Sequence, residues 1–220
     1  MNFTTSEENY IKCIYHLQQE TGLVNTNALA GEMRTRPASV TDMLKKLKAK
    51  KLLQYERYKG FTLNEAGKKA ALGVIRKHRL WEYFLAEVLK FDWDKVHPIA
   101  EELEHISNDE LIQRLDKFLG NPSFDPHGDP IPDKNGKIPV RNQLVLSDVP
   151  VKKTVTVSAV SNQTVQMLEM LKHYQIALGT PLQVLQKFAF DGSLEIKVAK
   201  QAPCIISEQV AKNVFVHYEL

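Results

Sequence analysis

Cysteine is scarce in this sequence, and long hydrophobic runs are missing. Cys13 and Cys204 are the two cysteines among 220 residues, too few and too far apart for a disulfide framework, so we expect a reducing, cytoplasmic location. No apolar run approaches the roughly 18 residues of a membrane span, and the start MNFTTSEENY is not typical of a signal peptide. The 43% hydrophobic and 25% charged residues then indicate an ordinary globular protein of one large or two to three small domains.

The small net charge of +3 conceals an uneven distribution along the chain. Residues 1–79 contain 15 Lys/Arg against 7 Asp/Glu, a balance of +8, whereas residues 92–133 contain 3 against 11, a balance of −8. A basic segment favours contact with phosphates, and an acidic segment favours cations. The front and the middle of the chain therefore point to different partners.

The basic segment has the element order of a winged helix-turn-helix. Thr5 and Glu8 form a capping-box pattern, with Thr5 as the N-cap of a first helix. A short helix is predicted at residues 28–33 and a third helix from Pro37, which suits a first helical turn. Alternation then predicts a two-stranded hairpin over residues 52–63.

The third helix of such a motif enters the major groove, with its N-terminal residues nearest the bases. Side chains at its start are therefore candidates for base edges, and basic side chains further along and in the hairpin are candidates for phosphates. The base candidates are Arg36, Ser39, Thr41 and Asp42, with Pro37 and Ala38 in the same turn; the phosphate candidates are Lys45, Lys46, Arg57 and Lys59. The alternatives are a solubilising surface or a winged helix used for protein contact, but the local balance of +8 favours nucleic acid.

Imidazoles and carboxylates recur at helical spacing in the acidic middle. Two of each fall at i, i+4, i+7 and i+8, which predicts one helical face: His97, Glu101, Glu104 and His105. His78 and Glu82, at i and i+4 on the preceding helix, complement that face. Such nitrogen and oxygen ligands suit Mn(II), Fe(II), Co(II) or Zn(II). The alternative is a solvated acidic surface, but the added His78 and Glu82 favour metal.

The helix that follows Asn64 is predicted to run to about Leu89 and carries more apolar surface than one core needs. Four of its residues are therefore candidates for a subunit interface, with a purely intramolecular core as the alternative: Trp81, Phe84, Leu85 and Val88. The next helix is expected to begin near Asp94, which places Pro98 close enough to its start to be tolerated.

The last hundred residues change character. Residues 120–148, rich in Pro, Gly and Asp, predict an extended crossing and a linker in which Asp125 and His127 are additional candidate ligands. Strands are then predicted at residues 154–160, 181–188, 194–198 and 214–218, with a helix at 164–173. Several short strands in so short a segment suggest a small barrel.

Several motifs, in a specific order and spacing, resemble those of a known family. They are Tyr10-Ile11-x-x-Ile14-Tyr15, Pro37-Ala38-Ser39-Val40-Thr41, Tyr55-Glu56-Arg57-Tyr58-Lys59-Gly60, His78-Arg79-Leu80, Val96-His97, Leu103-Glu104-His105 and Pro126-His127-Gly128-Asp129-Pro130-Ile131-Pro132. They resemble the metal-dependent transcriptional repressors of the diphtheria toxin repressor and manganese-regulator (DtxR/MntR) family, in its three-domain form. The C-terminal part resembles the family's SH3-like (FeoA-like) domain more loosely.

The resemblance implies a mainly α fold with a small β part. It places a winged helix-turn-helix DNA-binding domain at residues 1–73, a helical dimerisation and metal-binding domain at 74–141 and an SH3-like barrel at 150–220. It also implies a function: a metal-activated repressor controlling metal homeostasis. Mn(II) or Fe(II) would act as the co-repressor that orders a homodimer on palindromic operator DNA.

The resemblance also implies two metal sites. The primary, DNA-activating site takes ligands from the first helix and from the positions of Glu101, Glu104 and His105. The ancillary site takes His78, Glu82 and His97, and some manganese sensors use the positions of Asp125 and His127 instead.

Three residues of this chain bear on how those sites are completed. Asn9 stands at the first-helix ligand position and is expected to coordinate through its amide oxygen. Lys12 replaces the next acidic ligand of two-domain manganese regulators. Glu101 replaces the cysteine of iron sensors, which favours Mn(II) over Fe(II); Zn(II) or Co(II) is expected to substitute in vitro.

Two other functions fit parts of the sequence. A metal-independent winged-helix regulator would use the carboxylates structurally. A metallohydrolase would use the same His/Glu set with an open coordination position and bound water. The sequence contains no His-Glu-x-x-His motif and no convincing nucleophile triad, and an enzyme would not need the third helix, so we expect no enzymatic activity.

Overall fold

A computed structural model describes residues 3–56 and 60–218, which fall into two compact units. The first unit holds the chain up to His78 together with Glu101–Arg114 and Pro132–Ile138. The second holds Arg79–Ala100, Leu115–Ile131 and the chain from Pro139 onward. The helical middle of the chain is therefore divided between the two units. Within the described ranges, no helix is both long enough and apolar enough to cross a membrane.

The first unit contains the winged helix-turn-helix. Its elements are α1 (Thr5–Thr21), α2 (Thr26–Glu32), α3 (Pro37–Ala49) and the antiparallel strands β1 (Leu53–Glu56) and β2 (Gly60–Leu63). Its core is formed by one apolar face of each element and includes Ile11, Ile14, Leu29, Val40, Leu44, Leu47, Phe61 and Leu63. Mutual backbone hydrogen bonds between Val24 and Phe61 attach the segment before α2 to the hairpin.

The cap of α1 lies one residue earlier than the sequence pattern predicted. Thr4, not Thr5, is the N-cap: its hydroxyl accepts a hydrogen bond from the Glu7 N–H at 3.3 Å, and the Glu7 carboxylate accepts one from the Thr4 N–H at 2.9 Å. Thr4-x-x-Glu7 and Thr5-x-x-Glu8 both fit the capping-box pattern. The observed frame releases Glu8 for a contact distant in sequence.

The middle of the chain forms α4 (Glu65–Tyr83), which continues as a π-helical turn at Phe84–Val88, then α5 (Val96–Leu103) and α6 (Asp109–Phe118). Asn64 caps α4 as predicted, since its side-chain oxygen accepts a hydrogen bond from the Gly67 N–H at 3.0 Å. Helix α5 begins two residues after the predicted onset at Asp94. Pro98 is therefore its third residue, where no intrahelical partner is lost.

The second unit is built around a six-stranded antiparallel sheet with strand order β3-β8-β4-β5-β6-β7. Its strands are β3 (Leu144–Val145), β4 (Thr154–Val160), β5 (Pro181–Lys187), β6 (Leu194–Val198), β7 (Cys204–Ile206) and β8 (Val214–His217), accompanied by helices α7 (Val165–His173) and α8 (Glu208–Lys212). The mainly α class with a small β part is confirmed. The short β3, β7 and α8 escaped prediction because two to five residues carry too little periodicity.

The position of the α1 cap can be tested directly. Thr4→Ala is expected to lower the free energy of unfolding by about 1 kcal/mol, because the Glu7 N–H loses its acceptor. Thr5→Ala, at the first helical residue, is the matched control and should change stability little. Chemical denaturation followed by circular dichroism measures both, and a larger loss for Thr5→Ala would contradict the assigned cap.

Candidate metal centre and nucleic-acid face

The outward side of α3 is polar, as expected for a surface that contacts nucleic acid. All of the candidates on this helix and its cap are exposed: Arg36, Pro37, Ala38, Ser39, Thr41, Asp42, Lys45 and Lys46. The apolar residues between them, Val40, Leu44 and Leu47, are buried. Arg57 and Lys59, the phosphate candidates in the hairpin, lie outside the described residues.

Contacts within α3 are weak enough for a ligand to displace. Lys45 pairs with Asp42 at 2.9 Å, but both side chains are exposed, and pairs of this kind contribute little in water. The Thr41 hydroxyl donates to the Pro37 carbonyl at 2.9 Å and retains its oxygen lone pairs as acceptors. A phosphate or a base edge can therefore compete for these groups.

A buried group of metal-ligand atoms lies in the second unit. Glu82, Asp125 and His127 each place one donor atom within 4.8 Å of the others, and the residues are 1%, 3% and 0% exposed. Buried carboxylates without a cation are costly. The group joins Glu82 to the two residues that the sequence offered as additional ligands.

His127 is held in one orientation by its surroundings. Its Nε2–H donates to the Trp93 carbonyl at 2.9 Å, and its ring stacks on the Trp93 indole with centroids 5.9 Å apart. The His127 carbonyl accepts a hydrogen bond from the Val160 N–H of β4 at 2.9 Å. A proton on Nε2 leaves the Nδ1 lone pair for another partner. Metal-binding histidines are commonly oriented in this way, by a hydrogen bond that the other ring nitrogen donates.

Asp125 is held by a tight loop. Its Oδ1 accepts hydrogen bonds from the N–H groups of His127 and Asp129 at 2.8 and 2.9 Å. Gly128 in this loop has a φ of +89°, and a Cβ there would lie 2.1 Å from the Ser158 carbonyl oxygen. Only glycine allows the loop to approach β4 so closely.

The electrostatics of this group favour a cation. Burial, followed by the charges of Asp129 and Glu82, raises the pKa of Asp125 to about 7. Burial acts to lower the pKa of His127, but the Glu82 and Asp125 carboxylates raise it above its usual value.

Two buried atoms of the group lack hydrogen-bond partners within the described chain: Asp125 Oδ2 and His127 Nδ1. The Arg79 Nε lies 3.6 Å from the former. A divalent ion would satisfy both atoms, so these residues fit such an ion.

Besides His127, two histidines lie near Glu82: His97 and His78. The His97 Nδ1 lies 3.2 Å from Glu82 Oε1, while the His127 Nδ1 lies 3.9 Å from Oε2. His78 stands one helical turn before Glu82 on α4. The carboxylate of Glu82 therefore faces an imidazole at each oxygen.

Glu104 is the centre of a separate ion-pair cluster, in the first unit. Its Oε1 accepts a hydrogen bond from Lys12 Nζ at 2.6 Å, and its Oε2 lies 2.6 Å from His78 Nδ1. Burial of Glu104 acts to raise its pKa, but His78 and the Lys12 ammonium outweigh that effect and lower it below the usual value. The chain itself therefore keeps Glu104 ionised.

The first-helix residue that joins this cluster is Glu8. Its Oε2 lies 2.6 Å from His105 Nδ1, and its Oε1 accepts a hydrogen bond from Lys77 Nζ at 3.1 Å. Asn9, the predicted ligand, makes no side-chain hydrogen bond within the described part of the chain. Sequence reasoning missed Glu8 because the pattern assigned it to the helix cap.

The predicted face is divided: Glu101 and Glu104 meet at Lys12 with His105 beside Glu104, while His97 lies elsewhere. Helix α5 ends at Leu103, so Glu104 and His105 lie on a turn to which helical spacing does not apply. His97 contacts Glu82 in the second unit, whereas Glu104 and His105 find their contacts in the first. Among the described residues, the donor groups close enough to share one ion contain neither Glu101, Glu104 nor His105.

The interface candidates also need correction. Trp81 and Leu85 are only 9% and 3% exposed within one chain, so they belong to its interior. Phe84 is half-buried and packs edge-on against Trp81 at 5.8 Å between ring centroids. The exposed apolar surface lies just beyond, at Val88, Leu89 and Phe91, which are 41%, 51% and 41% exposed.

Three family models match consecutive parts of the chain. The N-terminal DNA-binding domain of iron-dependent repressors matches residues 2–61, their metal-binding and dimerisation domain matches residues 64–133, and the FeoA domain matches residues 144–218. The middle range contains all three residues of the buried donor group.

Relatives extend these matches. The chain is 33% identical over 126 residues to the iron-dependent repressor IdeR of Mycobacterium tuberculosis, covering 57% of this chain and 54% of IdeR, about half of that relative's length. It is 35% identical over 112 residues to the regulator MntR of Bacillus subtilis, covering 51% of this chain and 78% of MntR. A solved manganese-dependent transcriptional repressor in complex with manganese is 32% identical, with a TM-score of 0.84 over 97% of this chain and 100% of that chain.

The role of Asp125 can be separated from its structural contacts. Asp125→Ala is expected to destabilise the metal-free protein by roughly 1–3 kcal/mol, because two buried N–H groups lose their acceptor. Asp125→Asn keeps that acceptor and should be nearly as stable as the natural protein. Both variants should bind Mn(II) at least roughly tenfold more weakly. Thermal unfolding and calorimetric titration measure the two effects, and unchanged Mn(II) affinity in Asp125→Asn would refute the ligand role.

Mn(II) affinity is expected to rise with pH through about 7. The pKa of Asp125 is raised to about 7 and that of His127 is raised too, so an ion must displace protons below that pH. Affinity should fall by roughly tenfold per pH unit for each displaced proton. Raised pKa values also mean that the metal-free protein loses stability as pH rises through the same range. Calorimetry in buffers of different ionisation enthalpy checks the proton release, and a pH-independent affinity would contradict it.

Proposed function

Because this chain belongs to the iron-dependent repressor (DtxR/MntR) family, we propose that it is a metal-activated, DNA-binding transcriptional repressor that controls metal homeostasis. In this proposal a divalent ion is the co-repressor, and a homodimer binds palindromic operator DNA. No catalytic step is required of the chain.

The observation that carries the proposal is the buried group of Glu82, Asp125 and His127. When bound, a divalent ion would supply positive charge to the two buried carboxylates. Asp125 and His127 release protons to bind it, and His97 lies beside Glu82 as a further nitrogen donor. Trp93 and Gly128 fix the donors in place before any ion arrives, which limits the ordering cost of binding.

Mn(II) is the proposed effector, with Fe(II) as the competitor. Carboxylate and imidazole donors without a thiolate form a hard set that suits Mn(II). The buried donor group of the described chain contains neither Cys13 nor Cys204. A solved relative is a manganese-dependent repressor in complex with manganese, while IdeR of M. tuberculosis is named an iron-dependent repressor. Zn(II) or Co(II) is expected to substitute in vitro.

The DNA-binding surface proposed is the exposed side of α3. Arg36, Ser39, Thr41 and Asp42 occupy the N-terminal part of this helix, which lies nearest the base edges when a recognition helix enters the major groove. Lys45 and Lys46 follow one turn later, where phosphates are reached. Arg57 and Lys59 of the hairpin are proposed as further phosphate contacts.

Self-association is proposed through the exposed apolar residues Val88, Leu89 and Phe91. They lie at and just beyond the end of the helical run that carries Glu82, within the second unit. Fixing Glu82 through an ion would also fix the end of the helix that carries this surface. Metal binding at Glu82 would therefore act directly on the segment that carries the proposed dimer surface. A dimer with two-fold symmetry would match a palindromic operator.

The proposal predicts metal-dependent DNA binding. A duplex selected from a random library in the presence of Mn(II) should bind roughly ten- to a hundredfold more tightly with Mn(II) than with excess EDTA, as measured by fluorescence anisotropy. His127→Ala should abolish this difference, whereas His173→Ala, at an exposed position on α7, should not. Equal affinity with EDTA and with Mn(II) would favour the metal-independent regulator instead.

The same assay separates recognition from activation. Lys46→Ala should weaken binding to all sequences alike and reduce the salt dependence by about one ion. Lys197→Ala, an exposed lysine on β6, is the matched control. Ser39→Ala with Thr41→Ala should instead lose sequence preference while retaining the response to Mn(II).

A further inference from the structure

We infer that Lys12 takes the place of a metal ion in the Glu104 cluster, so that the chain's own ammonium closes the junction between α1 and the turn after α5. The response to metal then depends on the donors around Glu82 in the second unit. This inference rests on the proposed function only in taking metal as the activator. It contradicts the metal site that the sequence predicted at Glu101, Glu104 and His105.

The geometry places the ammonium at the centre of the carboxylates. Lys12 Nζ lies 2.6 Å from Glu104 Oε1 and 3.6 Å from Glu101 Oε1. Its side chain is 17% exposed, and that of Glu104 is 0% exposed. An ammonium carries a compact positive charge with three donors. It therefore serves the same carboxylates that a divalent ion would need.

Other donor atoms of the cluster are already engaged, although His105 Nε2 lies 3.7 Å from Glu104 Oε1 without a hydrogen bond to it. Glu104 Oε2 lies 2.6 Å from His78 Nδ1, and His105 Nδ1 lies 2.6 Å from Glu8 Oε2. Glu8 Oε1 in turn meets Lys77 Nζ at 3.1 Å. An incoming ion would have to displace several short contacts, whereas a tethered ammonium is present at high effective concentration.

Repulsion between like charges leads to the same conclusion. Glu8, Glu101 and Glu104 face two ammonium groups, Lys12 and Lys77, and the imidazoles of His78 and His105. A divalent ion among them would stand within a few ångströms of Lys12 and be repelled by it. Removing Lys12 instead would leave Glu104 as a buried charge with no ammonium partner, which is strongly destabilising.

The two clusters differ in whether any buried atom lacks a partner. In the second unit, Asp125 Oδ2 and His127 Nδ1 are buried and make no hydrogen bond within the described chain. Among the described residues, the buried side-chain atoms that lack a hydrogen-bond partner include none from the first cluster, that is, none from Glu8, Lys12, His78, Glu104 or His105. The buried polar atoms of the first cluster therefore find their partners within the chain, whereas those of the second cluster leave room for a cation.

The consequence is a built-in connection to the DNA-binding helices. Lys12 lies on α1, which packs with α2 and α3 in one core, and Glu104 lies just after α5. The Lys12–Glu104 pair therefore ties that core to the turn after α5 before any metal is bound. The first unit is assembled without metal.

Counting bound ions on the natural protein tests the inference without any substitution in the Glu104 cluster. Equilibrium dialysis with Mn(II), read by electron paramagnetic resonance of the free ion, should give a single tightly bound ion per chain. His127→Ala should lose it, and Glu104→Gln should keep it. A second ion in the natural protein that Glu104→Gln removes, or a single ion that Glu104→Gln removes and His127→Ala retains, would overturn the inference.

Substitutions of Lys12 test the reciprocal expectation. Lys12→Glu should bind a second Mn(II) per chain, because the repelling charge is replaced by a donor. Lys12→Met should lower the melting temperature of the metal-free protein by roughly 10 °C, whereas Lys68→Met, which breaks an exposed pair with Glu65, should change it little. Lys12→Arg, which keeps the positive charge, should retain most of the melting temperature that Lys12→Met loses.

The outcome for Lys12 is distinguishable from that for the proposed function. If Mn(II) changes DNA affinity in no variant, the proposed function fails, and the ion count of Lys12→Glu still decides the inference. A Lys12→Glu protein that folds and binds no second ion would refute the place assigned to Lys12. So would a Lys12→Met protein as stable as the natural one.

Discussion

The structure depends on how it neutralises carboxylates that it buries. Glu82, Glu104 and Asp125 are almost inaccessible to water, and each needs a positive partner or a proton to remain so. Glu104 has the Lys12 ammonium and His78, while Asp125 has an elevated pKa and a more distant Arg79. The first arrangement is complete within the chain, and the second is suited to an added cation.

Metal sensing and DNA binding make opposite demands on polar side chains. The donors around Glu82 are buried and fixed by neighbours such as Trp93, which favours a defined coordination geometry. The polar residues of α3 are exposed and held only by weak contacts such as Lys45–Asp42, which a phosphate can replace. The two kinds of site lie in separate units, so each can meet its own demand.

Much of the fold follows from short-range patterns. The stripe Val40, Leu44 and Leu47 identifies the buried face of α3, and the alternation at residues 154–160 identifies β4. Capping chemistry places the start of α4 at Asn64. Local rules were ambiguous where two frames fitted equally well, as with Thr4 and Thr5.

The sequence by itself determined the class of fold, the exposed helix with its lysines, and the residue types able to bind metal, because these depend on periodicity and composition. Only the tertiary structure decided which donors meet. Helical spacing grouped His97 with Glu104, but α5 ends before Glu104, and contacts distant in sequence send the two residues to different carboxylate clusters. Lys12 and Glu8 are four residues apart on α1, and their partners lie about ninety residues further along the chain. Pairings over such distances are set by packing, which no local pattern encodes.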